Sequence, residues 1–181
     1  VHDRFIELVE QRLGKLRLGD PLQADTDIGP IAREDLQLNL HRQVEETIAA
    51  GAKCRLGGHL PEEAGFFYPV TLLTGVTPTM CAFQEETFGP VMVIIKADDV
   101  DHALEMANDT EYGLGAGIWT ENASLAKSLA LQIDSGQVAI NGIVKTDPRL
   151  PSGGIKGSGY GRELGPQGIK EFVNAKQIWI K

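Results

Sequence analysis

Apolar residues recur at helical spacing from the start of the chain, with Phe5, Leu8, Val9, Leu13 and Leu16 on one face. They predict an amphipathic helix that Gly19-Asp20-Pro21 stops. A second turn at Gly29-Pro30 follows. Leu36, Leu40, Val44 and Ile48 then mark a second helix, ended by Gly51. Residues 53–56 read as a short strand entering Gly57-Gly58, and residues 68–73 as another. The rhythm changes at Val91-Met92-Val93-Ile94-Ile95, a continuous apolar run after a Gly-Pro turn that suits a strand covered on both faces. Asp98 is the expected cap of a helix carrying Val100, Ala103, Leu104 and Ala107. Residues 114–119 form the next expected strand, Asn122 caps a helix with Leu125, Ala126, Leu129 and Ile133, and residues 137–140 are a strand again. This alternation predicts an α/β fold, a mostly parallel sheet flanked by helices with right-handed crossovers. After Asn141 the chain is Gly-rich up to Gly168, with a short helix expected over residues 168–173. It ends on an apolar strand, residues 177–180, whose backbone needs a partner.

Composition narrows the function classes. The 181 residues suit one medium domain, or a domain with an appendage, and the 42% hydrophobic content is that of an ordinary globular protein. The 21 glycines cluster late, which favours many tight turns over a long helical bundle. Lys and Arg number 17 against 25 Asp and Glu, a formal charge of −8, and the basic residues form no long run. No nucleic-acid partner is expected, because a nucleic-acid groove needs a positive stripe. No membrane partner is expected either, since no apolar stretch approaches the roughly 20 residues of a span. Cys54 and Cys81 follow no metal or Cys-x-x-Cys spacing, and His2, His41, His59 and His102 are scattered, so no metal site is expected. The chain opens on Val1, directly before a helical pattern, and further residues are expected upstream, with any targeting peptide among them.

Three segments carry the chemistry. Glu85-Glu86-Thr87-Phe88-Gly89-Pro90 precedes the apolar strand; alone it would be an acidic turn. Asn108-Asp109-Thr110-Glu111-Tyr112-Gly113-Leu114 joins a helix to a strand. Pro151-Ser152-Gly153-Gly154-Ile155-Lys156-Gly157-Ser158-Gly159-Tyr160-Gly161-Arg162-Glu163 follows the strand that leads to Asn141. The glycines of residues 153–161 do not make a phosphate loop, because the Gly-Lys-Ser/Thr ending is absent; they read as positions needing positive φ or close approach.

In that order and at those separations, the three segments resemble the aldehyde dehydrogenase superfamily, with its patterns Glu-x-Phe-Gly-Pro, Asn-x-Thr-x-Tyr-Gly-Leu and Pro-Phe-Gly-Gly-x-Lys-x-Ser-Gly-x-Gly-Arg-Glu. Gly19-Asp20-Pro21 and Gly29-Pro30 match as well, so the resemblance runs the length of the chain. It implies the C-terminal, catalytic-domain portion of such an enzyme over residues 1–173, with residues 174–181 as an oligomerisation strand. It also implies a cytoplasmic homodimer or homotetramer acting on a small-molecule aldehyde with NAD or NADP. In that family a cysteine thiolate attacks the aldehyde, the thiohemiacetal passes a hydride to the nicotinamide, and water releases the acid. The nucleophilic cysteine and the Gly-rich cofactor motif are expected upstream of Val1. Neither Cys54 nor Cys81 takes the nucleophile's place, and this chain alone is expected to be inactive.

The resemblance gives five residues roles. Glu86 would accept hydrogen bonds from the nicotinamide ribose hydroxyls, since a carboxylate offers acceptors to both O–H groups. Phe88 would wall the nicotinamide ring, or else be a plain core residue. Glu163 matches a carboxylate that relays protons behind the active site, or else forms a structural ion pair with Arg162 or another base. Lys145-Thr146-Asp147-Pro148-Arg149-Leu150-Pro151 resembles the loop of bacterial succinate-semialdehyde dehydrogenases, where a Ser hydroxyl binds the substrate's distal carboxylate. Thr146 keeps that hydroxyl, unless it is satisfied locally. Ser152 stands where the family has a Phe that walls the substrate tunnel. The resemblance thus implies oxidation of succinate semialdehyde to succinate. The alternatives are an aldehyde dehydrogenase of other or broader range, and a non-catalytic module that only packs against complete subunits.

Overall fold

The computed structural model describes residues 1–181 as two compact units, Val1–Ala97 and Asp98–Lys181. The first unit runs α1 (His2–Leu13), α2 (Glu34–Ala49), β1 (Lys53–Leu56), β2 (Thr71–Thr74), α3 (Cys81–Gln84) and β3 (Val91–Ile94). The strands form one sheet in the order β1-β2-β3, antiparallel between β1 and β2 and parallel between β2 and β3. All four residues of the central β2 are buried. Leu40 and Val44, one helical turn apart on α2, pack with Tyr68, Leu73, Val76 and Met80 in the core. Gly51 turns the chain out of α2 at φ 112°, a left-handed conformation that glycine adopts without penalty.

Four expectations shift here. α1 ends at Leu13, capped by Gly14, instead of running to the Gly19 turn. A helix-interior glycine costs about 1 kcal/mol, and Leu18 instead pairs with Ile28 in an isolated bridge. α1 also buries none of its residues. β2 begins at Thr71 and not at residue 68, because Pro69 has no N–H to give a ladder. β3 lies at the sheet edge and is half-buried along most of its length, less covered than its apolar run suggested.

The second unit runs α4 (Val100–Asn108), β4 (Tyr112–Gly113), β5 (Gly115–Ile118), α5 (Ala123–Ala130), β6 (Gln137–Ile140), β7 (Ile155–Lys156) and α6 (Gly165–Lys170). β5 and β6 are parallel and joined through α5, whereas β4 and β7 pair antiparallel. The class is α/β, as expected. Its parallel pairings, β2 with β3 and β5 with β6, fall in separate small sheets interspersed with antiparallel ones. Asn122 caps α5 through Leu125 N–H at 3.0 Å. The cap of α4 is Asp99, one residue later than expected, which accepts from His102 N–H at 2.8 Å. α6 starts earlier than expected, at Gly165 ahead of Pro166, whose fixed φ suits a first helical turn. Residues 174–181 form no strand in the isolated chain. Ile178, Trp179 and Ile180 are each more than three-quarters exposed, as a strand without a neighbouring ladder must be.

Candidate functional site

The Glu85–Pro90 segment and α3 just before it rest on α2, which holds them at four points. Thr47 Oγ1 accepts from Ala82 N–H at 3.0 Å. Arg42 Nη2 and Gln43 Nε2 both donate to Glu85 Oε2, at 2.8 and 2.9 Å. Gln43 Nε2 also donates to the Glu86 carbonyl at 3.1 Å. Gly89 packs so closely on Leu40 that an added Cβ would collide with that side chain. The Gln43 amide, then the Arg42 guanidinium, hold the Glu85 carboxyl below the usual glutamate range. Glu86, its neighbour, differs: its carboxylate is exposed and makes no hydrogen bond or ion pair in the chain. Phe88 is 75% exposed, which rules out the core-residue alternative within this unit. The segment is therefore a braced platform presenting a free carboxylate and a free aromatic ring.

Neither cysteine is built as a nucleophile. Cys81 has Arg42 at 3.9 Å, yet burial, with Glu85 nearby, pushes its thiol up, away from the thiolate form. The Cys54 thiol faces the carbonyls of Leu56 and Gly57, and no histidine bonds either sulfur. No group of His, Cys, Asp and Glu side chains converges as a metal site.

In the second unit, Thr146 opens a turn closed by its neighbours. Arg149 donates from Nε to Asp147 Oδ1 at 2.9 Å and from Nη2 to Oδ2 at 2.6 Å. Those bonds hold the Asp147 carboxyl below its usual range. Thr146 itself is exposed, and no group in the chain satisfies its hydroxyl, so the local-bonding alternative is not realised. Its chain neighbours Lys145 and Asp147, but not Thr146 itself, line a cavity of about 350 Å³ together with Gln137, Val138, Ala139 and Ser152. Ser152 and Glu163 meet through their backbones, N–H to carbonyl at 2.8 and 2.7 Å. Their side chains part company: Glu163 lines a separate open groove with Pro148, Arg149 and Phe172. The ion pair of Glu163 with Arg162 does not form, because Arg162 Nη1 donates to the carbonyls of Gly154 and Gly161, at 2.9 and 2.6 Å.

Sequence reasoning missed what most of the polar residues of the second and third segments do here, which is to hold each other. Lys156 Nζ donates to the carbonyls of Asn108 and Thr110, at 2.9 and 3.3 Å, with Asp134 at 3.5 Å. Ser158 Oγ accepts from Gly113 N–H at 3.0 Å. Asn108 bridges to Gln132 and Asp134, donating at 2.8 Å and accepting at 2.8 Å. Gly136 fits only as glycine, since a Cβ would strike the Gly153 carbonyl. The signal was present in the sequence as two polar-glycine motifs at matched order, but nothing local says that they pair.

Comparison with known proteins bears on the family of the chain. The family model described as the aldehyde dehydrogenase family matches residues 1–178. The chain is 47% identical over 180 residues to a probable succinate-semialdehyde dehydrogenase, NADP(+), of Synechocystis sp., covering 99% of this chain and 40% of the relative. It is 46% identical over 175 residues to a succinate semialdehyde dehydrogenase, NAD(P)+, of Escherichia coli, covering 97% and 38%. Among solved structures, an aldehyde dehydrogenase of Mycobacterium tuberculosis complexed with NAD+ superposes with a TM-score of 0.89 at 35% identity, over 94% of this chain and 36% of that one. A betaine aldehyde dehydrogenase of Staphylococcus aureus in complex with NAD+ gives 0.87 at 31% identity, over 94% and 35%. The chain thus spans about 40% of the length of the curated relatives it matches. With a family match over residues 1–178 and its own motifs in place, the chain belongs to the aldehyde dehydrogenase family.

Proposed function

We propose that this chain is the C-terminal, catalytic-domain part of an NAD(P)-dependent aldehyde dehydrogenase that oxidises succinate semialdehyde to succinate. The observation that carries the substrate assignment is the exposed, unsatisfied Thr146 hydroxyl, between Lys145 and Asp147, which both line the 350 Å³ cavity. A hydroxyl there donates to a carboxylate on the far end of the substrate, and the succinate-semialdehyde dehydrogenases of Synechocystis and Escherichia coli are similar to this chain at 47% and 46% identity. Ser152, where the family has Phe, lines the same cavity and keeps that wall small and polar.

The residues present fit a nicotinamide cofactor. Glu86 has both carboxylate oxygens free to accept from ribose hydroxyls, and the exposed Phe88 ring is free to flank the nicotinamide. When bound, NAD(P) takes up the reducing equivalents of the aldehyde. The chain's own residues orient: Glu86 and Phe88 the cofactor, Thr146 and Ser152 the aldehyde. Glu163, exposed at its groove, is the carboxylate available to carry a proton to solvent. The nucleophile is supplied from outside this chain, and the assembled enzyme is a homodimer or homotetramer.

The test is substrate preference in the complete enzyme. kcat/KM for succinate semialdehyde should exceed that for butanal, which has the same carbon count without the carboxylate. Equal values would refute the substrate assignment.

A further inference from the structure

We propose that Gln43 is a positioning residue for Glu86: its buried amide fixes the peptide from which the Glu86 carboxylate is presented. The inference rests on the reading of Glu86 as the cofactor-facing carboxylate.

Gln43 is 3% exposed on α2. A buried amide costs free energy unless it is hydrogen-bonded, so its partners say what it is for. Both lie in the Glu85-Glu86 dipeptide: Glu85 Oε2 at 2.9 Å and the Glu86 carbonyl at 3.1 Å. Both partners are oxygen acceptors, which fixes the nitrogen end of the amide toward them. The other end, Gln43 Oε1, is buried without a partner. The amide thus bonds the platform and nothing else through its side chain. For stability alone an apolar residue would serve at this position, beside Leu40 and Val44.

The two bonds act at different points. The Glu85 carboxylate is anchored twice, by Gln43 and by Arg42 Nη2 at 2.8 Å, and Arg42 is itself held by Glu46 at 2.6 Å and Asn39 at 3.1 Å. Glu86 is anchored only through its backbone carbonyl, and only by Gln43, which leaves its carboxylate free. Removing the Gln43 amide keeps the Glu85–Arg42 pair and releases the Glu86 peptide specifically. A carboxylate that orients a cofactor then loses its fixed origin, and small misplacements of reacting groups cost up to about 100-fold in rate.

The experiment compares Gln43→Leu with wild type in the complete enzyme and in the 181-residue chain. In the enzyme, kcat should fall roughly 10- to 100-fold while the aldehyde KM changes little. The isotope effect with a C1-deuterated aldehyde should rise as hydride transfer becomes limiting. The double variant with Glu86→Gln should lose less than the product of the two single losses, because both act through one group. In the chain, amide exchange at residues 85–89 should accelerate while Leu72 and Leu73 stay protected. A purely structural role would instead lower folding stability, leave the isotope effect unmoved and give multiplicative losses. If Gln43→Leu does not fold, Gln43→Met, unbranched and without a donor, takes its place. Unchanged kcat and isotope effect in a folded variant of an active enzyme would overturn the positioning role alone. A wild-type enzyme that oxidises no aldehyde would overturn the functional reading, and this one with it.

Discussion

Lys156→Met separates structure from chemistry in the glycine-rich motif. Met keeps an unbranched apolar stem of similar length and removes only the ammonium, so packing changes little. The ammonium makes two hydrogen bonds to backbone carbonyls, of Asn108 and Thr110, at 2.9 and 3.3 Å. Hydrogen bonds from a charged donor are worth about 1.5–3 kcal/mol each. The Lys156 side chain is 28% exposed, so the freed carbonyls partly rehydrate, and the lower end of that range applies. Asp134 at 3.5 Å is itself 57% exposed and adds less than about 1 kcal/mol. The sum is a loss of about 3–4 kcal/mol from the second unit. Both tryptophans, Trp119 and Trp179, lie in that unit, so their fluorescence follows its unfolding in urea. At an m-value of about 2 kcal/mol/M, the midpoint should fall by roughly 1.5–2 M. Amides of Tyr112 and Gly113, at the β4–β7 pairing, should exchange faster. A midpoint shift below about 0.2 M, which is under about 0.5 kcal/mol, would refute the reasoning.

Other perturbations probe the remaining parts. Thr146→Val in the complete enzyme should lower kcat/KM for succinate semialdehyde by about one to two decades, the worth of a hydrogen bond to a charged group, and leave butanal unaffected; equal losses would point to folding. Gly136→Ala should disrupt the second unit, since its Cβ meets the Gly153 backbone carbonyl, which cannot swing aside; a native fluorescence spectrum and midpoint would contradict this. Glu85 has a folded-state pKa below its ordinary value of 4.5, so its contribution is full above that value and is lost as pH falls through the lowered one. The stability difference between wild type and Glu85→Gln should therefore shrink on acidification below about pH 4.5, and a pH-independent difference would refute it. Light scattering should show the chain self-associating through the exposed Ile178, Trp179 and Ile180, and monomeric once residues 175–181 are removed; a monomer in both cases at high concentration would defeat the idea.

The sequence made the elements legible where one face is buried or a cap is local. α2 follows from Leu40 and Val44 at helical spacing, and α5 from Asn122 three residues before Leu125. It misled where tertiary contact decides. The α1 stripe reads as a core face, yet no residue of the helix is fully buried in this chain. The terminal Ile-Trp-Ile reads as a strand, but a strand exists only with a neighbour to bond. Of the site, Glu86, Phe88 and Thr146 were recognisable by motif, and the structure leaves each exposed and free of partners within the chain. The brace beneath them was not, because Gln43 lies 42 residues from Glu85 and its pairing is a product of the fold. The same holds for Lys156, which sits in a motif that reads as catalytic and reaches back 48 residues to hold Asn108.

In the proposed function, this chain supplies a cofactor-binding carboxylate and a substrate-binding hydroxyl, and the nucleophile lies outside it. NAD(P)H formation with succinate semialdehyde, measured for the 181-residue chain and for the complete enzyme, tests that directly. No turnover is expected from the chain, with or without Cys54 and Cys81, and steady turnover is expected from the complete enzyme, dropping when Glu86 becomes Gln. Turnover by the chain alone, or a complete enzyme indifferent to Glu86→Gln, would contradict it.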